Sequence, residues 1–547
     1  MKVILQNGRF LRTEPGGGIS AGDPTFAECM IVEDGIITHI GGSQVKEVVE
    51  AQDEGATVHD FGQRIVLPGF IDGHMHLLMM GQSLKKVDLE ACKSLEDIRV
   101  AIKAYAAANP DVPRILCRGW MHFMTEGKAL SSMLDDLDPR PIFIDSKDLH
   151  SAWCSSAALQ EMGVYGMEDP KGGCIHRDAT GRASGLLDEA AAVTIVWPHV
   201  ASISPMNQKL DAIREAFNAY TAAGYTGMVE MAMDENALEV LRELQKRDGG
   251  FPVRIAAHWI IAPSDTEEQN LRQVHRAIEL QKQLNTKTSP QLRIVGIKVI
   301  CDGVIDACTA ALSKPYSSTG VSCEPLWSSE MLDPVVRTAD IAGLQCALHA
   351  IGDGAIKLAI DTLEKNGTPG RRHRIEHLEL ATSEDAQRLG RLGIIASIQP
   401  VHADPAILRA WPKLLGNHRC GRAFAYKEFE DGGAKLALGS DAPTAPHAPF
   451  PNMYTATTRR SAREPQSPEV VNDHFALSLA SAVSAATAGS AYSCFADTWA
   501  GSLEIGKKAD LVVVDMIWKP ENLLAACVRE TWFEGKKIFD AQSISKG

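Results

Sequence analysis

Short apolar runs, each followed by a stretch with apolar residues at three- and four-residue spacing, recur through the middle of the chain. The runs are Arg64–Phe70, Thr226–Met231, Val253–Trp259, Ile294–Ile300, Leu344–Leu348, His373–His377, Ile394–Ile398 and Lys435–Gly439. Stretches such as Asn207–Ala223, Glu267–Leu284, Pro334–Ala342 and Ser383–Leu392 have the periodicity of amphipathic helices. Eight strands alternating with helices predict a (β/α)8 TIM-like barrel. An open doubly wound sheet fits less well, because no glycine-rich phosphate turn follows the first strand.

The two chain ends have a different pattern. Residues 1–64 alternate short apolar runs with turns, and Asp34-Gly35 is a hairpin signal. Near the C-terminus, Ala509–Asp515 predicts a buried strand and Trp532–Ile538 a hairpin. Each end is too short to bury a sheet alone, so the two are expected to combine: residues 1–64 plus 495–547 as a small β-sandwich domain, with 65–494 as the barrel. The gap between the first two barrel strands is far longer than a helix and its loops need. Residues 78–220 therefore predict an insertion after barrel strand 1. It contains helical stretches (Leu95–Ala107, Ser155–Met162), β-like runs (Arg114–Arg118, Pro141–Asp145) and a turn-rich segment from Lys171 to Gly181. Leaving the barrel after strand one and returning before strand two, it is expected to sit over the C-terminal face and form a wall or lid of the pocket.

Composition narrows the function classes. A net charge of −14 over 547 residues argues against a nucleic-acid binder. With 45% hydrophobic and 23% charged residues the chain is globular. It has no apolar stretch of membrane-spanning length, and its N-terminal apolar run is too short for a secretory signal, so a cytoplasmic protein without a membrane partner is expected. The 12 cysteines are scattered without a C-x-x-C pair, which predicts reduced core residues rather than a zinc ribbon.

Candidate chemistry gathers at the strand ends. His74 and His76 close the segment Gly69–His76 and, two residues apart on a strand, face the same way about 7 Å apart. His349 and His377 close later runs, and Asp441 follows Ala437–Ser440. In a barrel these rims converge, so the five residues can share one site, and four imidazoles with a carboxylate suit Zn²⁺ or a related divalent ion. Lys298 lies inside the apolar strand Ile294–Ile300. A buried ammonium is costly unless it is paired or discharged. Two readings follow: a salt bridge or snorkelling stem, or a neutral amine carboxylated by CO₂ to a carbamate that bridges two ions.

Five motifs together resemble the amidohydrolase superfamily, and within it the YtcJ-like branch (amidohydrolase family 3) that includes N-substituted formamide deformylase. They are P-G-F-I-D-G-H-M-H (68–76), K-V-I-C-D-G (298–303), H-A-I-G-D-G-A (349–355), R-I-E-H-L-E (374–379) and G-S-D-A-P (439–443). The segment G-S-L-E-I-G-K-K-A-D-L-V-V-V-D (501–515) is similar to the C-terminal β segment of that family. The resemblance implies that His74 and His76 bind one ion and His349 and His377 another. A carboxylated Lys298 would bridge them, and Asp441 would ligate the first ion and handle the proton. It also implies one or two metals per chain, a small-molecule substrate and, as in many relatives, a homodimer.

Such a site implies hydrolysis of a carbon–nitrogen, amide-type bond by a metal-activated hydroxide, with Asp441 as general base and acid. Ester or lactone hydrolysis, or Lewis-acid lyase or isomerase chemistry, needs the same machinery; a non-catalytic binding protein would be expected to lack ligands. Substrate contacts are expected from His150 and Trp153, which resemble the H-x-x-W segment of this branch, and from His402 after strand seven. Trp120 and Glu189 are weaker candidates. Aromatic residues of the insertion, such as Trp120, Phe123 and Trp197, hint at a hydrophobic substrate.

Overall fold

The computed structural model describes residues 2–14, 17–19, 24–147, 149–170 and 173–544; Lys171 and Gly172 of the turn-rich segment lie outside the described residues. At its centre eight parallel strands follow one another in chain order around a barrel. They are β1 (Phe70–Met75), β2 (Tyr225–Met233), β3 (Arg254–Ile261), β4 (Leu292–Ile300), β5 (Gln345–Ala350), β6 (Arg374–His377), β7 (Ile395–Ile398) and β8 (Leu436–Leu438). β1 and β8 meet just beyond β8, where Asp441 N–H donates to the His74 carbonyl (2.7 Å) and His76 N–H to the Ala442 carbonyl (2.9 Å). Two glycines make that approach possible. A Cβ on Gly73 would lie 2.8 Å from the Leu438 oxygen, and one on Gly439 2.5 Å from the His74 nitrogen.

The strands are buried on both faces, as parallel strands covered by helices are. Local chemistry sets the helices around them. Asp234 caps Glu235–Asp248 and Thr266 caps Glu267–Gln283, while Thr382 and Asp385 form a capping box for Ser383–Leu392. The helix expected over Pro334–Ala342 begins earlier, at Ser329, because Leu332, Val335 and Val336 share one buried face across the proline. Inside the barrel, Ile71, Val229, Met231, Ala256, Val295 and Ala347 pack with Ala491, Cys494 and Ala496, giving an apolar floor. Arg374, Gln345 and Ser493 form a polar layer against it: Gln345 donates to the Ser493 carbonyl (3.1 Å) and Arg374 to the Ser493 hydroxyl (3.1 Å).

The run Arg64–Phe70 is not one barrel strand. Ile65–Pro68 belongs to an eight-stranded sheet built from both chain ends, between Lys2–Leu11 and Leu511–Asp515, and the barrel starts at Phe70. Gly69 divides the run: its N–H is held by the Asp510 carbonyl (2.9 Å), and a Cβ there would lie 2.4 Å from the Thr226 hydroxyl. One apolar run thus serves two sheets. The terminal sheet packs on itself through Leu5, Phe10, Met30, Val32, Val66, Leu511, Val513 and Trp532.

Between β1 and β2 the chain builds a six-stranded sheet of its own, in the order Gly173–Arg177, Ala183–Glu189, Ser151–Cys154, Ile142–Ser146, Ile115–Trp120, Val87–Asp88. Each face has its own core. Ile98, Ile102, Cys117, Trp120, Ile144 and Trp153 fill one, and Phe143, Ala152, Cys154, Leu159, Ile175 and Leu187 the other.

The barrel base is tied to the terminal sheet by one buried ion pair. Arg254, opening β3 and 7% exposed, donates to the Asp510 carboxylate (2.5 Å) and to Glu534 (2.7 Å), beneath the rings of Trp499 and Phe533. Removing one member of such a pair leaves the other charge buried alone, which costs about 3–5 kcal/mol. Arg254→Met is therefore expected to lower the equilibrium unfolding free energy by about that amount. Urea titration followed by tryptophan fluorescence measures it, and a loss under about 1 kcal/mol, the scale of an exposed pair, would show that the contact is peripheral.

Candidate metal centre

Every residue expected to ligate a metal lies on the barrel's C-terminal rim or just below it. His74 is the penultimate residue of β1, and His76 follows it as the residue before helix Leu77–Ser83. His349 lies at the end of β5, His377 ends β6, and Asp441 lies three residues past β8. Donor atoms of His74, His377 and Asp441 come within 4.8 Å of one another, all three residues buried. Asp441 Oδ1 lies 3.2 Å from His74 Nε2 and 3.0 Å from His76 Nε2. The His377 ring is 5.0 Å from that of His74 and 4.5 Å from that of His349, centroid to centroid.

The backbone at these positions is bent to the task. His377, Leu378 and Asp441 adopt positive φ (76°, 55° and 57°), a conformation disfavoured for side chains with a Cβ and held here by the surrounding structure. Asp72 helps hold it. Its carboxylate accepts from the backbone N–H of His74 (3.2 Å) and Ser440 (2.9 Å), and from the hydroxyls of Ser440 (2.6 Å) and Tyr220 (3.1 Å), with burial pushing its pKa up to about 6. Asp302 does the same for the rim near His349. It accepts from the N–H groups of Ile351, Gly352 and Ala311, and burial pushes it up to about 7.

A charged network orients His74. Its Nδ1 lies 2.7 Å from Glu376 Oε2, and Glu376 is gripped by the fully buried Arg374 (2.6 and 3.0 Å). Burial alone would raise the Glu376 pKa; the Arg374 charge and the His74 bond instead hold it well below the usual carboxylate range. A carboxylate on one imidazole nitrogen presents the other nitrogen to a ligand, the arrangement that supports metal-bound histidines. Burial would likewise raise Asp441, but His74 and His76 hold it well below its ordinary value. His349 and His377 are held well below the ordinary imidazole value, chiefly by burial, which leaves them neutral and able to donate a lone pair.

Lys298, 2% exposed, has its pKa lowered by burial, against the pull of Glu376 and Asp441. Among the described residues its amine has no hydrogen-bond or ion-pair partner, so the salt-bridge reading does not apply. His402 lies beside the cluster, its ring stacked 6.0 Å from that of His377, and 3.7 Å from Asp441 Oδ2. It forms a second group of possible donors with His377 and Glu379. Burial opposes the charged form of His402, but Glu379 and Asp441 push its pKa up.

The insertion reaches the rim through His150 and Glu189. His150 Nδ1 bonds Glu189 Oε2 (2.7 Å), while Glu189 Oε1 accepts from the Thr309 hydroxyl (2.6 Å) in the loop after β4. Trp153 is not brought to the histidines. It is fully buried in the insertion, donates its indole N–H to the Leu130 carbonyl (3.0 Å) and packs 5.4 Å from Trp120. Alternation along Ser151–Cys154 turns it into the core that Trp120 shares. Asp72, Asp302, Arg374, Glu376 and Glu379 were not singled out from the sequence. The R-x-E spacing of Arg374 and Glu376 on a short apolar strand was the available signal, since residues two apart share a face.

Comparison with known proteins agrees with this geometry. The profile of the amidohydrolase family matches residues 57–539. The protein LONG AFTER FAR-RED 3 of Arabidopsis thaliana is 29% identical over 94% of this chain and 88% of its own. The putative amidohydrolase YtcJ of Bacillus subtilis is 28% identical over 99% and 100%, and the N-substituted formamide deformylase of Arthrobacter pascens 26% over 89% and 90%. Among solved structures, an uncharacterized metal-dependent hydrolase from Pyrococcus horikoshii superposes with a TM-score of 0.76 at 24% identity, covering 95% of this chain and 98% of that one. An adenosine deaminase from Xanthomonas campestris with bound zinc gives 0.55 at 16%, covering 100% and 96%. With a family match over most of its length and a barrel whose rim carries the motif residues, the chain belongs to the amidohydrolase family.

Proposed function

We propose that this chain hydrolyses a carbon–nitrogen bond of amide type in a small organic substrate, with a divalent metal, zinc first among candidates, at the His74–His377–Asp441 cluster. The observation that carries the reading is the convergence of these buried donors within 4.8 Å of one another, drawn from three separate strand ends. The donor set fits a metal. Neutral imidazoles and one ionised carboxylate are zinc ligands, and His377 Nδ1 is buried without a hydrogen-bond partner among the described residues. The deformylase relative and the zinc-bound deaminase fold point the same way.

His74, His76, His349, His377 and Asp441 would hold the ion or ions, with Lys298 between them as a CO₂-derived carbamate. Such an ion supplies Lewis acidity, polarising a carbonyl oxygen and lowering the pKa of water. The remaining work falls to the chain's own groups. Asp441, held ionised by His74 and His76, accepts a proton from the attacking water and returns it to the leaving nitrogen. His402, kept more basic than an ordinary imidazole by Glu379 and Asp441, stands beside Asp441 as a donor to developing negative charge on the substrate oxygen. Burial favours the neutral Lys298 amine, the form whose lone pair bonds to the carbon of CO₂ with loss of one proton. Glu189 orients His150 at the rim, where it contacts substrate. A terminal-sheet unit that extends through Pro68, a barrel that starts at Phe70 and a pocket wall at 78–220 belong to the same reading.

Metal content per chain, measured by plasma mass spectrometry on protein purified without added metal or chelator, is expected near two. A value near one removes the carbamate bridge, and none after reconstitution with divalent ions overturns the hydrolase. On a panel of N-acyl amines, formamides, lactams and esters scored for amine and acid release, Asp441→Asn is expected to cut kcat by about a thousandfold with unchanged circular dichroism. Near-normal turnover would deny Asp441 its proton. Lys298→Ala is expected to lose metal and rate together, with partial rescue by bicarbonate and a short carboxylic acid; retention of both would refute the carbamate.

A further inference from the structure

The base of the barrel holds a second buried guanidinium besides Arg254. Arg293 lies on β4 opposite Ala256 of β3, and Arg254 stands two residues before Ala256, so both arginines start from the inner face of the barrel. Their guanidinium carbons lie 4.9 Å (Arg254) and 5.4 Å (Arg293) from the centre of the Trp499 ring. Arg293 is 2% exposed, and its Nε is buried without a hydrogen-bond partner. Among the described residues no carboxylate forms an ion pair with it. The carboxylates of this region are engaged elsewhere: Asp510 by Arg254, Glu534 by Arg254 and Lys508 (3.6 Å), and Asp497 by Arg372 (2.7 Å).

Both arginines line a cavity of about 10 Å³, with Ile71, Met228, Ala256 and Cys494 among its other walls. That space admits about one water-sized sphere. The side chains around it offer donors and little to accept them. The Cys494 thiol lies within hydrogen-bonding reach of Arg293 but is a weak acceptor, and its own hydrogen is directed at the Ala491 carbonyl (3.6 Å). The Thr226 hydroxyl, also on the lining, is directed at the Phe70 carbonyl (3.5 Å). A guanidinium withdrawn from water without an acceptor is costly. A water molecule would relieve it but would need acceptors for its own hydrogens. A monatomic anion needs donors alone, and a weakly hydrated one tolerates the apolar walls, whereas phosphate or a carboxylic acid exceeds the space.

We propose that this cavity is a chloride site, in which Arg293, beside the Trp499 indole, holds the ion at the base of the barrel. The site is independent of the hydrolase reading. Cys494 directly follows Ser493, whose hydroxyl and carbonyl accept from Arg374 and Gln345, so the ion braces the layer on which the Arg374–Glu376–His74 network stands.

The test replaces one anion by another. Full-length protein, freed of halide by dialysis into sodium gluconate, is unfolded thermally at fixed ionic strength while chloride is exchanged for gluconate, an anion too large for the cavity. Binding to the folded state alone is expected to raise Tm saturably, by about 2 °C or more between roughly 1 and 100 mM chloride, and bromide is expected to act alike. Arg293→Met abolishes the halide dependence, whereas Arg272→Met, at an exposed arginine, keeps it. Should Arg293→Met fail to fold, wild-type crystals soaked in bromide decide the matter: a peak in anomalous difference density is expected against the Arg293 guanidinium. An ordered water there in place of bromide, equal Tm in chloride and gluconate, or a chloride dependence that persists in folded Arg293→Met protein overturns the site. A bromide peak unaccompanied by any chloride-dependent Tm marks an adventitious ion only and overturns it too.

Discussion

The site depends on one buried interaction, the grip of Arg374 on Glu376. Two charges at zero exposure would be a liability if either stood alone. Together they form a fixed dipolar unit. Arg374 spends its remaining donors on the Gly73 carbonyl (2.7 Å) and the Ser397 and Ser493 hydroxyls, so it joins β1, β6, β7 and the barrel floor. Glu376 spends its remaining capacity on His74. The pair thereby places the first imidazole, leaving its other nitrogen facing Asp441, and the same contact draws strands from distant parts of the sequence to one point.

Around that unit the rim is assembled from backbone that would not adopt its shape unaided. The positive φ values at His377, Leu378 and Asp441 sit where the strands give way to loops. Asp72 and Asp302 accept from backbone N–H groups of the neighbouring rim, Asp72 from Ser440 beside Asp441 and Asp302 from Ile351 and Gly352 just past His349. Both carboxylates are buried and both have raised pKa values, whereas Asp441, equally buried, is held low. Burial acts on all three; the histidine neighbours of Asp441 reverse its sign.

The insertion is a second body of structure with two cores of its own, and it meets the rim with polar groups. His150 and Glu189 approach there, and Glu189 accepts from Thr309 in the loop after β4.

Much of this was legible along the chain. Apolar runs alternating with amphipathic helices specify the barrel, and histidines at strand ends specify a metal-type rim, because strand and helix periodicities are local properties that survive any packing. Gly69 shows the limit: a single apolar run reads as one strand, and only the packing of Thr226 and the Asp510 carbonyl against that glycine splits it between two sheets. Trp153 shows another, since alternation is readable but which face meets a core and which a pocket is not. The Arg374–Glu376–His74 chain and the aspartates behind the rim likewise emerge only in three dimensions. Their roles come from which charges lie within hydrogen-bond reach and how far water is excluded, and both are set by residues hundreds of positions apart. Thus the sequence by itself determined the architecture and named the candidate metal ligands, through local periodicity and residue chemistry. The tertiary structure decided how those residues are oriented and which imidazoles burial holds neutral.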